Sequence, residues 1–259
     1  MKVGFVITCH QSKEHSPFGY NLCYDAIESI ISFVDCPYEI VIIDNESEGG
    51  SLTEDSFSFL SRDNVHYKYI EDQSILGMTG AWNLGMKMLY DLGVDVMINS
   101  NEDIEVDDTI NNFIIEIYNH KNRENGLFGP KTNIGGAAGN RSQECEKFEK
   151  NLDNSVVEFK GGPKERPDNV SYISGFFTGW SRDFYEKFRV GENIWCYDRP
   201  GRWTRWAGQE HEIYDRCFDF GMRCYVINSC FVFHKKYYKG KYRSWLNRHM
   251  KIINDNNGD

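Results

Sequence analysis

The sequence has no long apolar run, no paired cysteine motif and no excess of positive charge. No stretch approaches the roughly 20 apolar residues that a transmembrane helix needs, and the apolar run at the N-terminus is too short for a signal peptide. Eight cysteines are scattered over 259 residues without a CxxC motif, a pattern typical of reduced thiols in the cytoplasm. We therefore expect a cytoplasmic protein without a transmembrane segment.

Charge and composition limit the class of partner further. The chain carries 39 acidic and 29 basic residues, for a net charge of -10. Proteins that bind nucleic acid by broad phosphate neutralisation need basic surfaces, so we expect no nucleic-acid partner. With 40% hydrophobic and 15% aromatic residues the chain can form a core, which excludes global disorder. Its length suits one large domain, with or without an appendage.

Three apolar runs in the first half of the chain predict buried strands that end in polar residues. They are Val3–Thr8, Glu39–Ile43 and Val94–Ile98. The first two are joined by a helical pattern from Leu22 to Val34, and this strand, helix, strand order implies a right-handed parallel crossover. Polar residues that follow parallel strands gather at one edge of the sheet, where open α/β sheets bind ligands.

The polar residues after the third strand belong to the stretch M-I-N-S-N-E-D-I-E-V (Met97–Val106). Glu102 and Asp103 are adjacent acids at the predicted edge of the sheet. Hard divalent cations prefer oxygen ligands, and Mg²⁺ typically takes one or two carboxylates together with phosphate oxygens. The motif on its own fits either a metal site for a phosphorylated ligand or an acidic surface turn.

A glycine-rich segment, G-M-T-G-A-W-N-L-G (Gly77–Gly85), leads into a helix that Gly93 is expected to end. The glycines permit a close approach either to a ligand or to the sheet. Asn83 lies in the first turn of this predicted helix, where a buried polar side chain needs a hydrogen-bond partner. The residues expected on the buried face are Ala81, Leu84, Met88 and Leu92.

The second half of the chain begins with a stretch of different composition. Lys131–Asn169 has few apolar residues and is too long for an ordinary connection. We interpret it as an insertion beside the site, either a partly mobile lid or a surface loop. The elements expected after it are a strand within Tyr172–Trp180, helices Arg182–Phe188 (capped by Ser181) and Gln209–Phe220, strands Arg223–Ile227 and Cys230–Phe233, and a basic tail.

Six segments, in this order, resemble the GT-A fold glycosyltransferases, in particular the family 2 type, over roughly Val3–His234. They are V-G-F-V-I-T-C-H, V-I-I-D-N-E-S-E-G-G-S, G-M-T-G-A-W-N-L-G, N-E-D-I-E-V, I-S-G-F-F and G-Q-E-H-E-I-Y-D-R-C-F-D-F-G. The acidic segment stands where that family has its metal-binding D-x-D motif. I-S-G-F-F is similar to the family's acceptor-side segment, and the last segment is similar to the helix that carries its catalytic base.

The resemblance implies an α/β protein of the GT-A fold, with a mostly parallel central sheet flanked by helices. It implies a single catalytic domain over residues 1–259, with a nucleotide-sugar half at 1–106, an acceptor half at 107–234 and a basic tail at 235–259. The implied activity is that of an inverting glycosyltransferase that moves a sugar from a UDP-, GDP- or dTDP-sugar to a hydroxyl of a glycan or glycoconjugate acceptor, assisted by Mn²⁺ or Mg²⁺. Peripheral membrane contact through the basic tail is a further expectation.

On the donor side, the resemblance implies roles for five residues. Thr8, Asp44 and Asn83 are expected to line the nucleotide pocket, with Asp44 hydrogen-bonded to the base or the ribose. Asp103, with Glu102 beside it, is expected to hold the metal ion on the donor diphosphate, where the ion acts as a Lewis acid.

On the acceptor side, Glu210 is expected to be the general base that deprotonates the acceptor hydroxyl, with Glu212 as the competing candidate. His234 is expected either to contact the metal or diphosphate or to have an ordinary structural role. Three substitutions depart from the family pattern: Glu210 stands where the family's base is an aspartate, Asn101 stands in place of the first aspartate of D-x-D, and Trp82 stands in place of an arginine. They leave metal dependence and donor identity open.

Two other functions fit the same fold. A nucleotidyltransferase that makes nucleotide sugars usually has a loop rich in Gly, Lys and Arg after the first strand, and Thr8–Tyr20 lacks one. A catalytically inactive carbohydrate-binding protein would not need to keep both Asp103 and Glu210. A nicotinamide-dependent enzyme is disfavoured, because no GxGxxG follows the first strand.

Overall fold

The structure, a computed structural model, describes residues 1–10, 22–47, 58–121, 125–133, 143, 156–159, 173–196 and 209–235. The strands are β1 (Val3–Cys9), β2 (Tyr38–Asn45), β3 (Val65–Ile70), β4 (Val96–Asn101), β5 (Ile104–Val106), β6 (Asn125–Thr132), β7 (Val156–Phe159), β8 (Phe177–Ser181) and β9 (Arg223–His234). The helices are α1 (Leu22–Phe33), α2 (Gln73–Asp91), α3 (Ile110–Asn119), α4 (Arg182–Phe188) and α5 (Gln209–Asp219). Within these ranges no helix is both long and apolar enough to cross a membrane.

The described strands form one curled sheet in the order β3-β2-β1-β4-β8-β6-β9-β5, with β7 paired to β9. β3, β2, β1 and β4 are parallel, which confirms the parallel pairing predicted for the first two strands. β8 runs antiparallel between β4 and β6. β9 is parallel to β6 and antiparallel to β5 and β7.

Apolar clusters cover the sheet on both faces. One cluster includes Phe5 and Ile42 and is completed by α1 and α3. The other includes Val6 and Val41 and is completed by α2, α4 and α5. Because successive side chains of a strand point to opposite faces, a strand covered on both sides must be apolar throughout. This requirement accounts for the continuous apolar runs in β1 and β2.

A crevice is expected between the carboxyl ends of β1 and β4, because the chain leaves these strands toward opposite edges of the sheet. β1 pairs with β2 on one side and with β4 on the other, and Thr8 lies opposite Asn101. The backbone N–H of His10, just after β1, donates to the Glu102 carboxylate at 3.2 Å. The acidic motif therefore lies at the predicted edge of the sheet.

Helix α2 differs from its prediction at both its start and its buried face. It begins at Gln73, and Gly77 interrupts it with a φ of 61°, a conformation that glycine adopts without strain. The most deeply buried apolar residues are Ala81, Trp82, Met86 and Leu89, whereas Leu84, Met88 and Leu92 are only partly buried. A Cβ atom on Gly85 would collide with Val6, so close packing on the sheet explains this glycine.

Strand β9 is continuous where two short strands were expected, and β6 was not expected at all. The partners of β9 change along its length: β7 pairs with its first half and β5 with its last residues. β6 accompanies it with a register shift between Pro130 and Lys131. Asn228 and Ser229 break the apolar pattern in the middle of β9, which is why the sequence favoured two strands.

The stretch Lys131–Asn169 was expected to be an irregular insertion, and part of it is regular. β6 extends to Thr132, and Val156–Phe159 forms β7. Apart from residues 131–133, 143 and 156–159, this stretch lies outside the described residues, and so does the tail from residue 236. Lys235, assigned to the basic tail, is instead 3% exposed, and its ammonium group pairs with Asp25 of α1 at 2.7 Å and with Glu105.

Candidate active site

Asp103 and His234 meet at the end of the sheet, although they are far apart in the sequence. The pairing of β5 with β9 places Ile104 opposite His234. Nε2 of His234 lies 3.3 Å from Oδ2 of Asp103, and the backbone N–H of Lys235 donates to the Asp103 carbonyl at 2.7 Å. The carboxylate predicted to hold the metal and the imidazole that was one candidate to share it are thus adjacent.

The imidazole of His234 is held in a defined orientation. Its ring stacks on Phe176 with centroids 4.3 Å apart and an interplanar angle of 8°. Oδ1 of Asn133 accepts a hydrogen bond from the backbone N–H of His234 at 2.7 Å, and Nδ2 of Asn133 donates to the His234 carbonyl at 3.0 Å. These contacts fix both the backbone and the ring of His234 beside Asp103.

Glu210 lies in the first turn of α5, against the backbone of Gly175. Burial raises the pKa of Glu210, and hydrogen bonds from its own N–H and from that of Gly175 partly oppose this effect. A carboxylate with a raised pKa is a stronger base than an exposed one, and general bases work best with a pKa near the working pH. Its environment therefore suits the role predicted from the sequence.

Glu212, the competing candidate, is occupied by a structural ion pair. It is fully buried, its Oε1 lies 2.9 Å from Nε of Arg216, and it accepts the Cys196 N–H at 3.1 Å. Arg216 also donates to the carbonyls of Phe188, at 2.8 Å, and Ile194. This network ties α5 to the end of α4 and the segment after it.

Asp44, Thr8 and Asn45 lie at the ends of β1 and β2. Asp44 is fully buried and accepts hydrogen bonds from Tyr67 Oη at 2.8 Å and from the Ser47 N–H at 3.1 Å. Thr8 Oγ1 and Asn45 Oδ1 are buried and have no hydrogen-bond partner within the described ranges. Since buried polar atoms are normally paired, these two oxygens suit hydrogen bonds from a ligand. The expected place of Thr8 and Asp44 in a nucleotide pocket stays a prediction.

The buried side chain of Asn83 is hydrogen-bonded to the backbone of Ile194 and Trp195, in the segment that follows α4. Its Oδ1 accepts the N–H groups of Ile194 and Trp195 at 2.9 and 3.0 Å, and its Nδ2 donates to the Trp195 carbonyl at 2.9 Å. The side chain of Trp195 in turn packs on Trp82, with centroids 5.1 Å apart. Asn83 therefore attaches this segment to α2, and its expected contact with a nucleotide stays a prediction.

Replacing Asn83 by alanine should lower the free energy of unfolding by about 1–3 kcal/mol for each backbone group left buried and unpaired. Urea denaturation would measure this loss. Lys87→Ala, one turn later on the same helix, is the control, because Lys87 makes only exposed ion pairs, with Asp91 and Glu192, and their loss should change stability little. Equal stability of the Asn83 variant and the wild type would contradict the attachment role.

One segment, Ile173–Phe176, brings the two halves of the site together. Gly175 contacts Glu210, while the next residue, Phe176, stacks on His234 and accepts the Asn101 N–H at 2.9 Å. The sequence placed I-S-G-F-F on the acceptor side but gave Gly175 and Phe176 no individual roles. Their importance depends on contacts between residues distant in the chain, which no local pattern reports.

Comparison with solved structures identifies the architecture. The structure of GalNAc-T7 with UDP, GalNAc and Mn²⁺ superposes with a TM-score of 0.58 and 18% sequence identity. That of Staphylococcus aureus TarS (residues 1–349) superposes with a TM-score of 0.55 and 10% identity. Both are GT-A glycosyltransferases, and each match covers 90% of this chain. The chain has a GT-A fold.

This GT-A chain is shorter than the proteins it matches. It spans 43% of the GalNAc-T7 chain and 60% of the TarS chain. Neither a protein-family model nor a curated protein matches the sequence. At these identities the likeness establishes the GT-A fold that was predicted from the six segments, whereas activity and substrates have to be argued from the site.

Proposed function

We propose that this GT-A protein is an inverting, family 2-like glycosyltransferase that moves a sugar from a nucleotide diphosphate sugar to a hydroxyl of a glycan or glycoconjugate. The observation that carries the proposal is that two consecutive residues, Gly175 and Phe176, contact Glu210 and His234 respectively. His234 is in turn adjacent to Asp103. A candidate base and a candidate site for the donor diphosphate thus lie on either side of one short segment.

Asp103 and His234 fit part of the shell of a divalent cation. A carboxylate oxygen and an imidazole nitrogen, the ligand types that Mn²⁺ accepts, converge to 3.3 Å. No group of three or more His, Cys, Asp or Glu side chains within the described ranges is arranged to hold a metal, so donor phosphate oxygens would have to complete the shell. A bound Mn²⁺ or Mg²⁺ would neutralise charge on the departing nucleoside diphosphate.

Glu210 supplies the base for the transfer step. Its carboxylate takes the proton of the acceptor hydroxyl while the hydroxyl oxygen bonds to the anomeric carbon. The bond from that carbon to the diphosphate oxygen breaks, and its electron pair leaves with the nucleoside diphosphate. Attack from the face opposite the leaving group inverts the anomeric configuration. The backbone of Gly175 lies against this carboxylate.

The donor pocket in this proposal is formed by the ends of β1, β2 and β4. Asp44, held by Tyr67 and Ser47, would bind the base or ribose, with Thr8 and Asn83 lining the pocket. Glu102, which accepts the His10 N–H, would lie next to the metal ligands.

A thermal-shift screen of UDP, GDP and dTDP with and without Mn²⁺ tests the pocket, because a ligand that binds only the native state raises its apparent stability. We expect one nucleotide to raise the melting temperature, more so with Mn²⁺; no shift with any of them would contradict the proposal.

Asp103→Asn should weaken binding of the selected nucleoside diphosphate strongly in Mn²⁺ and little in EDTA, because the carboxylate acts through the cation. Titration calorimetry in both conditions would measure the two affinities. Asp108→Asn, an exposed charge five positions on, is the control and should bind as the wild type does. If wild-type protein binds equally well with Mn²⁺ and EDTA, Asp103 is not a metal ligand.

A further inference from the structure

Glu210 lies where Gly175 has no side chain. A Cβ atom on Gly175 would be 2.7 Å from Cγ, 2.8 Å from Oε1 and 3.0 Å from Cδ of Glu210. Separations this short between nonbonded atoms are strongly repulsive, so a side chain at position 175 would move the carboxylate. The space for the base thus depends on glycine at this position.

Both polar groups of the Gly175 backbone face neighbouring side chains. The N–H lies near the Glu210 carboxylate and lowers its pKa, and the carbonyl accepts a hydrogen bond from Asn99 Nδ2 at 3.3 Å. Asn99 is fully buried in β4, between Val6 of β1 and Thr178 of β8. A buried amide is costly unless it is hydrogen-bonded, and within the described ranges Gly175 is the partner of the Asn99 side-chain nitrogen.

The residues on either side of Gly175 are fixed as well. The Ser174 N–H donates to Gln143 Oε1 at 2.9 Å, and the Ser174 carbonyl accepts from Thr178 Oγ1 at 3.0 Å. On the other side, the Phe176 carbonyl accepts the Asn101 N–H. A backbone held at successive residues has little freedom to shift, so it can set the position of a side chain that rests on it.

We propose that Gly175 and Asn99 are positioning residues for the base, an inference that rests on the proposed role of Glu210. The side chain of Glu210 lies against the bare backbone of Gly175, and Asn99 holds Gly175 in register with β4. Neither residue is proposed to touch the donor sugar or the acceptor hydroxyl. Their effect on the reaction is through the position of one carboxylate, and a displacement of about 1 Å can cost 10²-fold in rate.

A double-mutant cycle tests this coupling, since residues that act on one another give non-additive effects. The four proteins are the wild type, Gly175→Ala, Glu210→Asp and the double variant, assayed for nucleoside diphosphate release from UDP-, GDP- and dTDP-sugars in Mn²⁺. We expect each single change to lower kcat by up to about 10²-fold. The double variant should lose much less than the product of the two, because the shorter aspartate leaves room for the added methyl group.

Gly126→Ala is the matched control. A Cβ atom there would lie 3.1 Å from Sγ of Cys217, so the methyl group presses on the same helix, α5, away from the base. Glu210→Asp should cost the same in this background as in the wild type. Donor affinity should be unchanged in every variant, so that the losses appear in kcat and not in KM.

Asn99→Leu removes the side-chain hydrogen bond to the Gly175 carbonyl while keeping the number of non-hydrogen atoms in the side chain. It provides a test if the Gly175 variant does not fold. Loss of its hydrogen bond should lower kcat about 2- to 10-fold, and a wild-type kcat would overturn the role of Asn99. Multiplicative losses in the Gly175 cycle would overturn the role of Gly175 while leaving Glu210 as the base. Near wild-type activity of Glu210→Gln would overturn the base and the inference together.

Discussion

Replacing Glu210 by glutamine is expected to lower kcat about 10²- to 10⁴-fold, the usual effect of removing a general base. Glutamine has nearly the same shape as glutamate, so the backbone around it should not move. Binding of nucleoside diphosphate and Mn²⁺ should be unchanged, because Glu210 contacts neither in the proposed arrangement. Initial rates and titration calorimetry on the same preparation separate the two effects. Transfer by this variant at a rate close to that of the wild type would show that another group is the base.

The raised pKa of Glu210 also predicts how the activity of the wild type and the stability of the Glu210→Gln variant depend on pH. Burial raises the pKa of Glu210, so kcat should fall on acidification at a pH above that at which an exposed glutamate titrates. Because the folded pKa exceeds the unfolded one, the stabilising contribution of this group is present at low pH and is lost as pH rises through the folded pKa. At neutral pH, Glu210→Gln should therefore melt at a higher temperature than the wild type, and the difference should vanish at low pH. A lower melting temperature at neutral pH would contradict this sign.

Glu212→Gln is expected to lower the stability of the protein and to leave kcat unchanged, the opposite of Glu210→Gln. Glu212→Gln removes one partner of a buried ion pair and leaves the Arg216 guanidinium without its counter-charge, which typically costs 3–5 kcal/mol. The variant should unfold at clearly lower urea concentration, while the folded fraction keeps its kcat. Equilibrium denaturation with activity measured per folded molecule would show this. A stable Glu212→Gln protein with the rate defect predicted for Glu210→Gln would reverse the two assignments.

Much of the fold could be predicted because its requirements are local. Buried parallel strands need apolar residues on both faces, so β1 and β2 are visible as runs. Helix ends follow equally simple rules: Ser181 accepts the Phe184 N–H at 3.2 Å as the predicted cap of α4, and Gly93, after α2, has a φ of 71°. The polar ends of successive strands indicated one edge of the sheet as the site.

The remaining features depend on contacts that the sequence does not encode locally. Asp103 and His234 are adjacent because β5 pairs with the end of β9, and strand pairing over such a separation leaves no periodic signal. For Asn83 the need for a partner was predictable, but the partner, the backbone at Ile194 and Trp195, was not. The role of Gly175 follows from its lack of a side chain. It becomes visible only in the structure, where the side chain of Glu210 occupies the space that a Cβ atom on Gly175 would need.

The most direct test of the proposed function is nucleoside diphosphate release from UDP-, GDP- and dTDP-sugars by the wild type, Asp103→Asn and Glu210→Gln, each with Mn²⁺ and with EDTA. We expect the wild type to consume one donor class in Mn²⁺ and to lose this activity in EDTA. Glu210→Gln should bind that donor without consuming it, and Asp103→Asn should bind it weakly. Wild-type protein that neither binds nor consumes any donor, or that consumes one equally well when Glu210 is replaced, would contradict the proposal.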